Sequence, residues 1–150
     1  MTSLTLFSPS GVLATAAPLR RAAKRLAALG FDVKCDAAAL AKHQRFAGDD
    51  DTRLAALHRV AAEAPSIAMA SRGGYGLTRL LARSVEQGTR WVGHSDMTLL
   101  QLGLLAHAKA RSWAGPMACF DFGRAPEEHG EKAAETVDEV TQACFTEAMD

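Results

Sequence analysis

The chain has no net charge: 17 Lys and Arg offset 17 Asp and Glu among 150 residues. It therefore sets up no global field to gather nucleic acid or an anionic membrane surface, and any anion must be bound by a local site. Cysteine is scarce. Cys35, Cys119 and Cys144 are odd in number, far apart and without a C-x-x-C pair, which argues against a disulfide framework and for a reducing, cytoplasmic setting. The five histidines lack ligand spacing, so no metal is called for, nor any other cofactor. No stretch reaches the ~18 apolar residues of a membrane span. No Lys or Arg precedes Arg20 and Pro9 breaks the first apolar run, so no signal peptide is expected. Neither a P-loop nor a G-x-G-x-x-G fingerprint occurs.

What is present suits one globular domain over residues 1–150. Hydrophobic residues make up 48% of the chain, and a chain of this length buries roughly two-thirds of its unfolded surface. Short β-prone runs alternate with helical patterns. The strands are expected at Leu4–Phe7, Phe31–Cys35, Ser66–Ala70, Arg90–Gly93 and Arg111–Ala114. Between them, Leu19, Ala22, Ala23, Leu26 and Leu29 keep helical spacing, with Arg20, Arg21, Lys24 and Arg25 read as a solvated face. Asp49, Asp50 and Asp51 suit the start of a helix, where carboxylates offset the exposed N–H groups; a metal site is the sharper and less favoured reading. Further helices are expected over Leu77–Leu81, after Ser95 (apolar nearly all round, hence buried) and from Glu131 to Ala148. The last has an apolar stripe of Ala133, Val137, Val140, Cys144 and Ala148. Alternating strands and helices predict an α/β fold with a parallel sheet covered on both faces.

Two segments carry chemistry. Gly93-His94-Ser95-Asp96 lies between a strand and a helix, a setting that can hold a serine hydroxyl clear of the backbone. The nucleophile elbow G-x-S-x-G is half matched, because Met97 stands at the second glycine. A plain helix cap is the competing reading of Ser95. Arg72-Gly73-Gly74-Tyr75-Gly76 follows a strand, where open sheets place their ligands, and its glycines let backbone N–H groups converge on an anion or a developing oxyanion. A tight turn is the alternative. His94 adjoins Ser95 but should point to the opposite face, so it is poorly placed as a base. His107 reads as a satisfied, partly buried histidine, and His43, His58 and His129 as surface residues. Asp121-Phe122-Gly123 lacks the other motifs of a kinase.

Taken in order along the chain, these pieces resemble the LD-carboxypeptidase family of serine peptidases. The matching blocks are Ser8-Pro9-Ser10-Gly11, Phe46-Ala47-Gly48-Asp49 with Arg53 and Leu54, and Ala70-Ser71-Arg72-Gly73-Gly74-Tyr75-Gly76 with Arg79-Leu80-Leu81. Gly93-His94-Ser95-Asp96 with Thr98, and Gly115-Pro116-Met117, complete the set. His94 departs from the family, which usually has an aromatic residue there. The resemblance implies a small, doubly wound, mostly parallel three-layer domain, similar to class I glutaminase and flavodoxin-like domains. It implies Ser95 as nucleophile and an oxyanion hole from the N–H groups of Asp96 and Gly74. Arg72, Gly73, Tyr75 and Met117 would contact substrate, though a structural ion pair is an equal reading of Arg72.

The resemblance also implies a Ser-Glu-His triad whose glutamate and histidine belong to a C-terminal domain beyond Asp150. The expected reaction is hydrolysis of the amide between an L-residue and a terminal D-amino acid in a muropeptide, as in peptidoglycan recycling. The isolated half should be nearly inactive, because the triad acts as a unit. Without its partner domain the chain would bare an apolar face, which favours self-association, a homodimer being the simplest form. The alternative function is a non-catalytic module that binds muropeptides or another chain. A phosphate or nucleotide binder is disfavoured by the missing fingerprints.

Overall fold

The computed structural model describes residues 1–80, 89–109, 111–125 and 137–149. Five strands form one sheet: β1 (Ser3–Phe7), β2 (Asp32–Cys35), β3 (Ile67–Ala70), β4 (Arg90–Gly93) and β5 (Ser112–Ala114). Their order is β2-β1-β3-β4-β5 and every pairing is parallel. The fold is thus the expected three-layer α/β domain, with an all-parallel sheet in place of a mostly parallel one. The order reverses between β1 and β3, which leaves a crevice beyond their carboxyl ends.

Alternation along the strands divides the core in two. Leu4, Leu6, Ile67, Met69 and Val92 face one layer, where they meet Leu19, Ala22 and Leu26 of α1 (Ala17–Ala28). Phe122 and Phe145 complete that layer, stacking edge-on at 5.4 Å between ring centroids. Phe7, Ala68, Ala70 and Trp91 face the other, against Leu54, Leu57 and Val60 of α2 (Asp50–Glu63) and Met97 and Leu100 of α3 (Met97–Gly103). Small residues at 68 and 70 let α2 and α3 approach the central strand closely.

Asp49 caps α2 by accepting the Thr52 N–H at 2.8 Å, so the aspartate run opens a helix as expected. Asp50 is committed to ion pairs with Arg53 and Arg79.

Several expectations fail for physical reasons. The segment after the glycine loop forms only a 3₁₀ turn, Leu77–Arg79, with Leu80 closing it; Leu81 lies outside the described residues. The helix after Ser95 is not buried all round. It widens into a π-helical turn at Leu104–Ala108 and leaves Leu102 57% and Leu105 60% exposed, because only one side meets the sheet. His107, on that turn, is exposed and not partly buried. α4 (Glu139–Met149) buries Phe145 and Met149, while Val140 and Cys144 of the expected stripe face outward. The larger aromatic ring docks on Phe31 and Phe122 and sets the helix's rotation. Residues 131–136 of that predicted helix, Ala133 among them, and His129 lie outside the described residues. The basic face of α1 is only partly solvated: Arg21 and Arg25 donate to the carbonyls of Gly123 and Phe122 at 2.8 Å each.

Candidate active site

Three loops meet at the crevice. The turn Ser8–Gly11 leaves β1, the glycine loop 71–76 leaves β3, and His94–Asp96 leaves β4. Ser8 and Ser71 share a buried hydrogen bond of 2.7 Å, and the Ser71 N–H donates to Phe7 O, so the first two loops start in a fixed relation. Their backbones then interlock. A Cβ on Gly11 would lie 2.8 Å from Gly73 O, and one on Gly74 would lie 3.2 Å from Gly11 N. Gly74 also has φ +150°, so side chains are excluded here by both space and conformation.

Arg53 supports the arrangement from beneath. It is 1% exposed, donates from Nη1 to Pro9 O at 2.9 Å and lies over the Phe46 ring at 4.8 Å. A Cβ on Gly76 (φ +105°) would come within 2.9 Å of that same Nη1. One buried guanidinium thus sets the heights of both the first turn and the glycine loop.

Ser95 stands at the crevice with φ 59°, a left-handed conformation that costs an L-residue about 1–2 kcal/mol. It is exposed, and its hydroxyl makes no capping bond to the helix behind it; α3 has no side-chain cap. The helix-cap reading of Ser95 is therefore corrected. Gly93 is needed for close approach: a Cβ there would meet Met97 Cγ at 3.0 Å and Met117 Sδ at 3.3 Å. Met97 can replace the second glycine of the elbow because it folds under the turn and is fully buried. The first-turn bonds of α3 use the N–H groups of Met97, Thr98 and Leu99, leaving that of Asp96 outside the ladder.

The cleft has a volume of about 390 Å³, and its lining includes Arg72, Gly73, Gly74, Tyr75, His94, Ser95 and Met117. The structure thus brings together every residue that the sequence put forward for contact with substrate. Their states differ. Tyr75 is 74% exposed and Met117 is buried in the floor. Arg72 folds back along the first turn, donating to Gly73 O and Val12 O at 3.2 Å each. Among the described residues it pairs with no carboxylate, so the ion-pair reading is replaced by carbonyl contacts. The Gly74 N–H donates to Asp96 Oδ1 at 3.1 Å.

His94 turns away from Ser95, with Nε2 3.8 Å from Asp121 Oδ2. Asp121 is itself held by the Met117 N–H at 2.7 Å. Among the described residues no histidine or carboxylate is hydrogen-bonded to Ser95 Oγ, and no group of three or more His, Cys, Asp or Glu could hold a metal. The arrangement offers a presented hydroxyl beside a glycine-rich backbone, without a proton acceptor on that hydroxyl.

Sequence reasoning missed two features of this site. One is the Asp96 side chain, which accepts from Ser10 Oγ at 2.5 Å as well as from Gly74. The other is the burial and supporting role of Arg53, which the sequence placed in a matching block without a function. Arginine within an otherwise apolar helical face was the available signal for the second. For the first there was none, because the bond joins residues 86 positions apart.

Comparison with known proteins bears on the family and the fold. The family model of the LD-carboxypeptidase N-terminal domain matches residues 4–115. A muramoyltetrapeptide carboxypeptidase from Oxalobacter formigenes is 30% identical, with a TM-score of 0.81 over 98% of this chain and 47% of that one. The microcin C7 self immunity protein MccF, solved with aspartyl sulfamoyl adenosine, is 20% identical with a TM-score of 0.85 over 99% of this chain and 44% of its own. An MccF-like protein from Bacillus anthracis is 23% identical, with a TM-score of 0.78 over 94% of this chain and 44% of its own. The last two share the fold. The chain spans less than half the length of the solved structures it matches.

Proposed function

This chain belongs to the LD-carboxypeptidase family, a family of serine carboxypeptidases, and from that premise we propose that it is the nucleophile-bearing domain of such an enzyme. The observation that carries the reading is Ser95, held at φ 59° on a strand–turn–helix. In the proposed reaction Ser95 Oγ attacks the carbonyl carbon of the amide joining an L-residue to a terminal D-amino acid. The hydroxyl proton passes to a base from outside the described residues and then to the leaving nitrogen. The C–N bond breaks, the D-amino acid departs, and water hydrolyses the acyl-serine ester. The Asp96 N–H is one donor for the oxyanion, and the glycine loop supplies the other.

The substrate class is a muropeptide of the peptidoglycan-recycling type, met in the cytoplasm. Alone, the chain should be nearly inactive on an L,D-tetrapeptide, its residual rate resting on the oxyanion hole and binding, since without a base the joint effect of the triad is lost. Mixing it with a separately produced C-terminal domain of the family should restore release of D-alanine, measured by mass spectrometry. Ser95→Ala should abolish the restored activity. Restored turnover that survives Ser95→Ala would refute Ser95 as nucleophile. Among the described residues no base meets Ser95 Oγ, and this favours a second reading, a non-catalytic muropeptide-binding module. Saturable tetrapeptide binding, unchanged by Ser95→Ala and without turnover in the mixture, would support it.

A further inference from the structure

The Asp96 carboxylate ties together all three loops of the site. It sits on the nucleophile turn, accepts the Ser10 hydroxyl of the first turn through Oδ2 at 2.5 Å, and accepts the Gly74 N–H of the glycine loop through Oδ1 at 3.1 Å. Ser10 is fully buried, so its hydroxyl gains by this bond what it loses from water. The bond to Oδ1 occupies the Gly74 N–H, the one hydrogen that this backbone amide can donate.

We infer that the Asp96 side chain is a positioning residue, a latch that fixes the glycine loop against its own turn and holds the Gly74 N–H on Oδ1. The inference rests on the reading of Ser95 as nucleophile for its consequence, not for its test. The consequence is that the loop must give up the Asp96 bond before Gly74 can donate to an oxyanion. Charge is not what the latch needs. An asparagine would accept the Gly74 N–H through Oδ1 and donate from Nδ2 to Ser10 Oγ, keeping both contacts with one bond reversed.

The test is amide hydrogen exchange followed by NMR on the full 150-residue chain. In Asp96→Ala the Gly74 amide should exchange about 10-fold faster or more, relative to the amides of β1 and β3 in the same sample, as local opening without global unfolding requires. Asp96→Asn should stay within about threefold of the parent. Ser10→Ala, which removes one of the two bonds, should give an intermediate acceleration. It also keeps the inference testable if Asp96→Ala fails to fold. No acceleration in the foldable variants, or equal acceleration in Asp96→Asn and Asp96→Ala, overturns the latch. Neither result depends on turnover, so failure here is distinct from failure of the peptidase assignment.

Discussion

Adding one methyl group to Gly73 should expose how tightly the glycine loop is pressed on Ser95. A Cβ at Gly73 would lie 2.6 Å from Ser95 Cβ and 2.8 Å from Ser95 Oγ, with Asp96 Oδ1 next at 3.3 Å. Gly73 is not among the positive-φ residues, so alanine is conformationally tolerated and its cost is steric. Overpacking of this kind costs ~1–3 kcal/mol. Taking ~2 kcal/mol, Gly73→Ala should lower Tm by roughly 4–8 °C in a domain of this size. The two nearest clashing atoms both belong to Ser95, so Ser95→Gly should remove them. Ser95→Gly also relieves left-handed strain of about 1–2 kcal/mol, offset by about 0.5–1 kcal/mol of added chain entropy. In the Ser95→Gly background, Gly73→Ala should then cost only about 0.5 kcal/mol, since a 3.3 Å contact asks for a shift of a few tenths of an ångström. The double-mutant cycle should show coupling of ~1.5 kcal/mol by urea unfolding with unchanged m-values. Additivity within ~0.5 kcal/mol would mean the two residues do not touch and would refute the geometry on which the site rests.

Other outcomes follow from burial and hydrogen bonding. The Cys119 thiol is buried, which pushes its pKa up to about 12, whereas Cys144 is exposed. At pH 8, iodoacetamide should modify Cys144 readily and Cys119 only in denaturant; peptide mapping that finds native labelling of Cys119 would contradict the packing of the 118–122 turn. Hydrogen bonds from the Thr52 side chain and backbone lower the Asp49 pKa, and those from the Thr141 backbone and side chain lower that of Asp138. A depressed folded-state pKa means the caps contribute fully above the unfolded value of ~3.9 and lose their contribution as pH falls through the folded value. The amide resonances of Thr52 and Thr141 should titrate with midpoints below ~3.9, and midpoints at or above it would show that the caps do not form.

The strands were legible because each is a short run bounded by glycine, proline or serine. Arg90–Gly93, for instance, is found with its expected bounds. The glycine loop and the turn at Ser95 were legible as loops at strand ends because glycine and serine mark such turns within a few residues. Helix faces were harder to read. Val140, Cys144 and Ala148 keep helical spacing as well as Phe145 and Met149 do, and periodicity alone cannot rank two stripes on one helix. The contact of Phe145 with Phe31, 114 positions earlier, decides it. Likewise the apolar residues after Ser95 outnumber the sheet surface available to cover them, so Leu102 and Leu105 stay exposed. Polar bonds that tie loops across the sheet, such as Ser10 to Asp96, leave no periodic trace at all.

The same division separates what this domain supplies to the site from what it does not. Ser95 is held in an unfavourable backbone region by contacts internal to the domain. Met97 is buried beneath the turn, Gly73 presses from the side, and Asp96 ties the turn to both neighbouring loops. Burying a side chain such as Met97 contributes about 1.5–3 kcal/mol, enough to offset left-handed strain of ~1–2 kcal/mol at one residue. The position of Ser95 therefore needs no help from substrate. Under the proposed function its reactivity depends on a base from outside the described residues. The mixing experiment therefore tests the proposed function, whereas the Gly73–Ser95 cycle tests only position.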